Sequence, residues 1–385
     1  MRALVTGGAG FIGSHLVDAF LSKGYEVRIL DSLDARVHPY GLPTYTPKEA
    51  EFIKGSVTDR AAWERALDGV DVVSHQAAYQ DYMLDFSRFM LVNSVSTALL
   101  YEVLVERGWR PQKIIIASSQ AVYGEGQYTC PTHGFFLSKN RSLAQMKTSD
   151  WEVHCPHCGE PSAPRGMEEP HPNPCNQYAV SKLSGEQIGL GLGRLHGIPT
   201  VALRYSITQG PRQSLFNQYS GVLRIFTRRA LGGEPLFIYE DGRQTRDFVH
   251  IDDVVDANFC VLENKDADFD NFNVGGGVAT SISHYAELII DKLGGGIRTI
   301  LPGQYRLGDN RHSVSSIAKL EKLGWIPKRS LSQILDDFLS WVDQIGGIPA
   351  NIQDAYNDML NRGVIQPIAN QALPRNPLTT LRHSA

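Results

Sequence analysis

Tyr178 and Lys182 lie four residues apart, the interval that puts two side chains on one face of a helix. A phenol beside a fixed ammonium is a candidate general base, because the positive charge favours phenolate and draws the pKa toward neutrality. Ser119 follows the apolar run 113–117 and offers a hydroxyl that can hold the oxygen of an alcohol substrate. A carbon whose hydroxyl is deprotonated can next lose hydride. Such a site needs a hydride acceptor beside it.

Residues 6–13 read Thr-Gly-Gly-Ala-Gly-Phe-Ile-Gly, between an apolar run at 2–5 and helical spacing through Ile12, Leu16, Ala19 and Phe20. This is strand, tight turn, helix. Gly7 permits the turn, Gly10 lets backbone approach a pyrophosphate at the helix N-terminus, and Gly13 lets the helix pack closely on the sheet, with Phe11 and Ile12 inside the same loop. The next apolar run, 26–30, ends in Asp31. An acid there accepts from the adenosine ribose hydroxyls and repels a 2′-phosphate, so the expected cofactor is NAD rather than NADP.

These groups need a frame. Apolar runs at 70–75, 113–117 and 200–204 alternate with helical stretches such as 87–106, which predicts an α/β fold: a Rossmann-type doubly wound parallel sheet with ligands beyond the carboxyl ends of its strands. The 385 residues suffice for two or three domains. With 37 Lys+Arg against 41 Asp+Glu and a net charge of −4, nothing favours nucleic acid or an anionic membrane as partner. No run of 18 apolar residues is evident, residues 1–5 read as strand rather than leader, and five cysteines do not suggest a secreted disulfide framework. The expected location is cytoplasmic.

Together, the glycine loop, Asp31, Ser119, Tyr178 and Lys182 resemble the extended short-chain dehydrogenase/reductase family, specifically its nucleotide-sugar epimerases and dehydratases. The resemblance spans about residues 1–345 and implies a smaller α/β substrate-binding domain and a nucleotide diphosphate sugar as substrate. It makes Ala77 and Ala78 the strand end beneath the cofactor, puts Asn93 near the active site, adds Ser56, Val57 and Asn93 to the cofactor contacts, and gives Lys182 a second role on the nicotinamide ribose. The segment 241–250 resembles the substrate-domain signature in which Arg246 pairs with the pyrophosphate, and Arg306 resembles the second clamping arginine; a planar guanidinium binds phosphate oxygens bidentately. Gln80 and Asp81, in a polar and aromatic loop, and Ser119 and Gln120 are the expected sugar contacts.

Within the family, dehydratases place acids directly after the catalytic serine or threonine, whereas here Gln120 and Ala121 stand there. Neither shuttles a proton. A 4-epimerase needs only a base at Tyr178 and NAD that is recycled each turnover and stays bound. The apolar Ile207, the small Ser313, the stretches 79–86 and 206–213 and the cysteine insertion look most like the branch that includes the dTDP-L-rhamnose 4-epimerases. Dehydratase, decarboxylase and reductase chemistry of the same family are the alternatives, and an NAD-sensing binding protein is a remote one.

Between Gly124 and Tyr178 the chain makes an unusually long excursion carrying Cys130-Pro-Thr-His133 and Cys155-Pro-His-Cys158. These half-sites offer four tetrahedral ligands, so a structural zinc knuckle is expected, with Cys175 as a substitute ligand. Cys260 and His75 fall in apolar runs and read as core. The expected domains are 1–205 for the NAD-binding domain with its 125–175 insertion, 206–247 with 271–314 for the substrate domain, and 248–270 with 315–345 returning to the core. Residues 346–385 form a tail beyond the family pattern, with a short helix expected at 351–362. Relatives commonly form homodimers through two helices, here about 87–106 and 178–195.

Overall fold

The computed structural model describes residues 1–81, 85–216, 221–348 and 355–368. Its central sheet has seven strands: β1 (Arg2–Thr6), β2 (Glu26–Asp31), β3 (Glu51–Lys54), β4 (Val72–His75), β5 (Lys113–Ser119), β6 (Thr200–Tyr205) and β7 (Asp270–Val274). They lie side by side in the order β7, β6, β5, β4, β1, β2, β3, every neighbouring pair parallel. Both faces are covered, so Leu4, Val73, Ile114, Val201 and Val274 are fully buried and the strands read as continuous apolar runs. The chain builds outward from β1 to β3 and then returns to β4 on the other side. This reversal opens a crevice at the carboxyl ends of β1 and β4.

Helices α1 (Phe11–Ser22), α2 (Arg60–Leu67), α3 (Phe86–Arg107), α4 (Gln177–His196) and α5 (Ile251–Glu263) flank the sheet. Asp59 caps α2 through Ala61 N–H, and Asn176 caps α4 through Ala179 N–H. α3 is long and apolar enough to cross a membrane, with a mean hydropathy of 1.4 over its most apolar window, which the run-length reading of the sequence does not anticipate. Half of that window is buried: Leu100, Val103 and Leu104 pack in the core with Trp63 and Ile114. A π turn at Leu91–Val95 interrupts it. α4 presses against α3 and the sheet through three glycines spaced one turn apart. A Cβ at Gly185, Gly189 or Gly193 would fall 2.2 Å from Asn93 O, 2.0 Å from Ile116 Cδ1 or 2.5 Å from Thr200 Oγ1.

The smaller lobe is built around Leu223, Phe226, Phe248, Tyr285 and Phe338. Two boundaries differ from the sequence reading. Residues 270–274, expected largely in the substrate domain, form β7, because Asn271, Phe272, Asn273 and Val274 complete the ladder beside β6. The helix Leu331–Gln344, expected to return to the core, buries Ile334, Leu335, Phe338 and Val342 in the smaller lobe; only the stretch around Leu320 and Trp325 packs on the main sheet. The tail is not a loose end over 355–368: it forms the helix Ala355–Asn361 and the strand Ile365–Pro367, the latter antiparallel to Gln304–Arg306. Residues 349–354 and 369–385, including the first part of the expected 351–362 helix, lie outside the described residues.

Candidate active site

A cleft of about 1550 Å3 runs from the β1–α1 turn to the smaller lobe. Its floor is the glycine turn. Gly7 has φ +66°, and a Cβ there would lie 2.9 Å from the backbone of Ala77, while a Cβ at Gly13 would lie 2.1 Å from Gly7 O. The turn is thus packed tightly on the neighbouring strand end and on α1, and the cleft opens beneath the N-terminus of α1, where Gly10, Phe11 and Ile12 line it. Asp31 closes the edge. Its carboxylate accepts from Ala9 N–H at 3.0 Å and Leu33 N–H at 2.8 Å, which aims the acid over the cleft. Ser56, Val57, Ala77 and Ala78 line the adjoining wall. The residues present fit a dinucleotide.

Ser119, at the end of β5, faces Tyr178 and Lys182 on the first turns of α4 across this cleft. Burial raises the Tyr178 phenol above its ordinary value, opposed by a hydrogen bond with Ser119. Burial also draws Lys182 down to about 8, with Glu186 opposing. Burial therefore governs the phenol, and the expected lowering by Lys182 is not seen. His75 reads as expected. It is buried, bonded to Thr6 Oγ1 at 2.7 Å and Ser96 Oγ at 3.1 Å, and drawn down to about 3 by burial and by Lys182.

Asn93 does not line the cleft. Its carboxamide accepts from Tyr79 N–H at 2.8 Å and donates to Tyr79 O at 2.9 Å, and it also donates to Ser181 Oγ at 2.9 Å. It braces the loop of Tyr79 against α4, and the π turn holds it there. Gln80 and Asp81 line the cleft, whereas Tyr82 lies outside the described residues. Asp81 is 3.3 Å from Arg36, and Arg36 and Arg88 each stack at 4.7 Å on the Tyr79 ring. This arginine–tyrosine wall was not legible in the sequence, since neither arginine belongs to a motif.

A second missed group lies under the base. Glu186 accepts from Ser118 Oγ at 2.7 Å and from both sides of the Arg204 guanidinium at 3.0 and 2.5 Å, while Arg204 reaches Tyr123 OH at 2.8 Å. All four are buried, so β5, α4 and β6 are tied together directly behind Ser119.

At the far end, Arg246 and Arg306 meet across one carboxylate: Asp309 lies 3.0 Å from each. Burial would raise Asp309, but Arg306, Arg246 and Arg141 hold it well below the usual carboxylate range. Arg141, from the insertion, donates to both oxygens of Glu240 at 2.9 Å and to Asp309 O at 2.7 Å. Arg311 is fully buried and contacts Glu152 at 2.6 Å, Asp241 at 2.6 Å and Glu240 at 3.1 Å. The insertion is thereby locked to the smaller lobe. Ile207 and Ser313 also line the cleft, and Gln120 Oε1 is buried with no hydrogen-bond partner among the described residues.

The insertion folds as an antiparallel sheet of Gly134–Leu137, Gln127–Cys130 and Ala163–Pro164. Ligand atoms of Cys130, His133, Cys155 and Cys158 converge within 4.8 Å of one another. Cys130 Sγ is 3.6 Å from His133 Nδ1 and 3.7 Å from Cys158 Sγ, and Cys155 Sγ is 3.5 Å from the same Nδ1. A tetrahedral zinc with Zn–S of about 2.3 Å and Zn–N of about 2.0 Å sets S···S near ~3.8 Å and S···N near ~3.5 Å. The set fits that ion. Each half-site ends in a glycine with positive φ, Gly134 at 75° and Gly159 at 77°. Cys175 is not in the cluster; it packs against Gly124, and burial raises its thiol.

The description NAD dependent epimerase/dehydratase family matches residues 3–145 and 156–275, the break falling inside the insertion. The dTDP-L-rhamnose 4-epimerase of Burkholderia thailandensis is 32% identical over 350 residues, 89% of this chain and 95% of that one. Among solved structures, a UDP-glucose 4-epimerase of Thermotoga maritima with UDP-glucose superposes with a TM-score of 0.71 at 29% identity, covering 90% of this chain and 99% of that one. A UDP-glucuronic acid 4-epimerase of Bacillus cereus, in complex with UDP-glucuronic acid and NAD, gives a TM-score of 0.71 at 26% identity, covering 90% and 100%.

Proposed function

Since this chain belongs to the NAD dependent epimerase/dehydratase family, we propose that it is a nucleotide-sugar 4-epimerase whose substrate is dTDP-L-rhamnose or a related nucleotide sugar. The observation that carries this reading is the convergence of Ser119, Tyr178 and Lys182 on one cleft with the glycine cradle at one end and Arg246 and Arg306 at the other. NAD, when bound, supplies a hydride acceptor that can give the hydride back. The chain does the rest. Tyr178 takes the C4 hydroxyl proton and Ser119 holds that oxygen, while the positive charge of Lys182 and that of the nicotinamide, when bound, oppose the burial that raises the phenol. Gln120 Oε1, unpartnered among the described residues, accepts from a sugar hydroxyl. Arg246 and Arg306 bind the diphosphate while the sugar turns.

Elimination of water is disfavoured because it needs a second acid and base beside the sugar. The carboxylates lining the cleft are Asp31, Asp34, Asp81 and Asp309. Asp31 is held by backbone amides, Asp34 and Asp81 by Arg36, and Asp309 by the two clamping arginines. Among the described residues, none is left for proton transfer next to Tyr178.

The reading gives the insertion a structural zinc, since four protein ligands leave no open position. Thiols kept for a metal fit a reducing compartment, the cytoplasm. It also makes the enzyme a homodimer: Phe86, Met90, Leu91 and Val95 on α3 and Val180 on α4 are exposed apolar side chains. The test is to incubate the purified protein, without added cofactor, with dTDP-L-rhamnose, UDP-glucose and UDP-glucuronic acid separately and to follow the sugar by NMR. Formation of a C4 epimer from one of them supports the reading; a 4-keto-6-deoxy product, loss of carbon dioxide, or no turnover of any overturns it. Metal analysis and light scattering on the same sample check zinc and the dimer.

A further inference from the structure

The tail beyond the family pattern is built into the cleft. Its strand Ile365–Pro367 pairs antiparallel with Gln304–Arg306, so Ile365 sits opposite Arg306 itself. Leu307 N–H donates to Val364 O at 2.9 Å and Ile368 N–H to Gly303 O at 3.0 Å, extending the pairing at both ends. The helix Ala355–Asn361 turns Tyr356 and Met359 inward, where they are buried with Ile365 and packed against Phe237 and Tyr239. Tyr356 OH meets Gln304 Nε2 at 2.9 Å, and its ring lies 5.9 Å from that of Phe237. Tyr356, Met359, Arg362 and Val364 all line the same cleft as Tyr178.

These residues complete a recognisable chemistry. One wall carries the partly buried rings of Phe237 and Tyr239, backed by the buried Tyr356 and Met359, apolar surface beside which a heterocyclic base can lie. Arg229 covers the Phe237 ring at 4.1 Å, and Arg306 lies 5.9 Å from Tyr239. Cations therefore rim an aromatic floor, the pattern that suits a nucleoside diphosphate.

We infer that the segment 355–368 is a strap that forms part of the nucleotide end of the substrate site and holds Arg306 in place through the strand it adds. Its occupant is the nucleoside diphosphate moiety, and the inference rests on the nucleotide-sugar reading above. Ile365 acts through the strand and is a positioning residue; Arg362 is at the cleft surface and contributes charge directly. Undocking the strap raises the KM for the nucleotide sugar and leaves kcat nearly unchanged, because Ser119, Tyr178 and Lys182 stand on other elements.

The test titrates dTDP and UDP, as probes, onto the full-length holoenzyme and its Ile365→Asp, Ile365→Val and Arg362→Ala variants by calorimetry, with bound NAD and hydrogen exchange over 355–368 measured in parallel. The expected result is that Ile365→Asp exposes the segment to exchange and weakens the better probe tenfold or more. Arg362→Ala, with exchange over 355–368 as in wild type, weakens it several-fold, and Ile365→Val stays within twofold, all with NAD content unchanged. If wild type binds a probe and both Ile365→Asp and Arg362→Ala bind it equally well, the strap inference is overturned while the nucleotide-sugar reading stands. If wild type binds neither probe, both fall together.

Discussion

The two ends of the cleft are held by different physics. At the NAD end, strands of fully buried Leu, Val and Ile set the frame, and the site is made of backbone: a glycine turn, the first amides of α1, and one carboxylate fixed by two N–H groups. At the nucleotide-sugar end, the site arginines are held by other charges. Arg141, Arg246, Arg306 and Arg311 are interleaved with Glu125, Glu152, Glu240, Asp241 and Asp309, most of them buried, and the chain segments that supply them are far apart. A backbone site tolerates little change in shape and much change in charge, and a charge-built site the reverse.

Tyr178→Phe gives the largest expected effect and should respect the division. Turnover falls by roughly 10²–10⁴-fold, the range for loss of a general base, while bound NAD and dTDP affinity are retained; loss of either cofactor or nucleotide binding would show the base to be part of the scaffold. Arg141→Ala breaks the charged end. Glu240 keeps Arg311 at 3.1 Å but Glu125 loses its arginine, so the cost falls at the lower end of the range for a broken buried pair, about 3 kcal/mol, read by denaturant unfolding, and the KM for the nucleotide sugar rises as Asp309 and its arginines relax. NAD content should not change.

Gly13→Ala is the reciprocal test. A methyl placed 2.1 Å from Gly7 O forces the turn apart, and overpacking of about 1–3 kcal/mol predicts roughly five- to 150-fold weaker NAD retention. dTDP binding at the other end should survive.

The smallest effect is a pH dependence. The charged cluster has one carboxylate more than its arginines can neutralise, and burial pushes Glu125 up to about 7 against the pull of Arg141. A carboxyl raised in the folded state binds more protons there than when unfolded, so its contribution to stability is present below about pH 4.5 and is lost as pH rises through 7. Relative to Glu125→Gln, wild type should lose about 2 kcal/mol or less between pH 5 and 7.5, measured by paired denaturant titrations. A flat difference across that range would place the surplus charge elsewhere in the cluster.

The same contrast explains what the sequence revealed. Gly7, Gly10, Gly13 and Asp31 are adjacent to the strands they serve, and Tyr178 and Lys182 share one helix, so local spacing carries their geometry. The Cys130 and Cys155 half-sites are likewise local, and the structure brings their ligands together. Arg141 and Arg311 carry no local signal, because their partners Glu240, Asp241 and Glu152 are distant in sequence and surface arginines look the same. Asn93 was legible as a position but not as a brace, since its role comes from a π turn. The strap was readable only as a short helix near 351–362, for its pairing with Gln304–Arg306 is a tertiary fact.

The central claim, transient oxidation at C4 with the hydride kept within the site, is tested most directly with a nucleotide sugar deuterated at C4, chosen as the substrate the protein turns over. The account predicts that the C4 epimer retains its deuterium at C4, with no exchange into solvent. Deuterium lost to water, or carried away on released reduced cofactor, would contradict it.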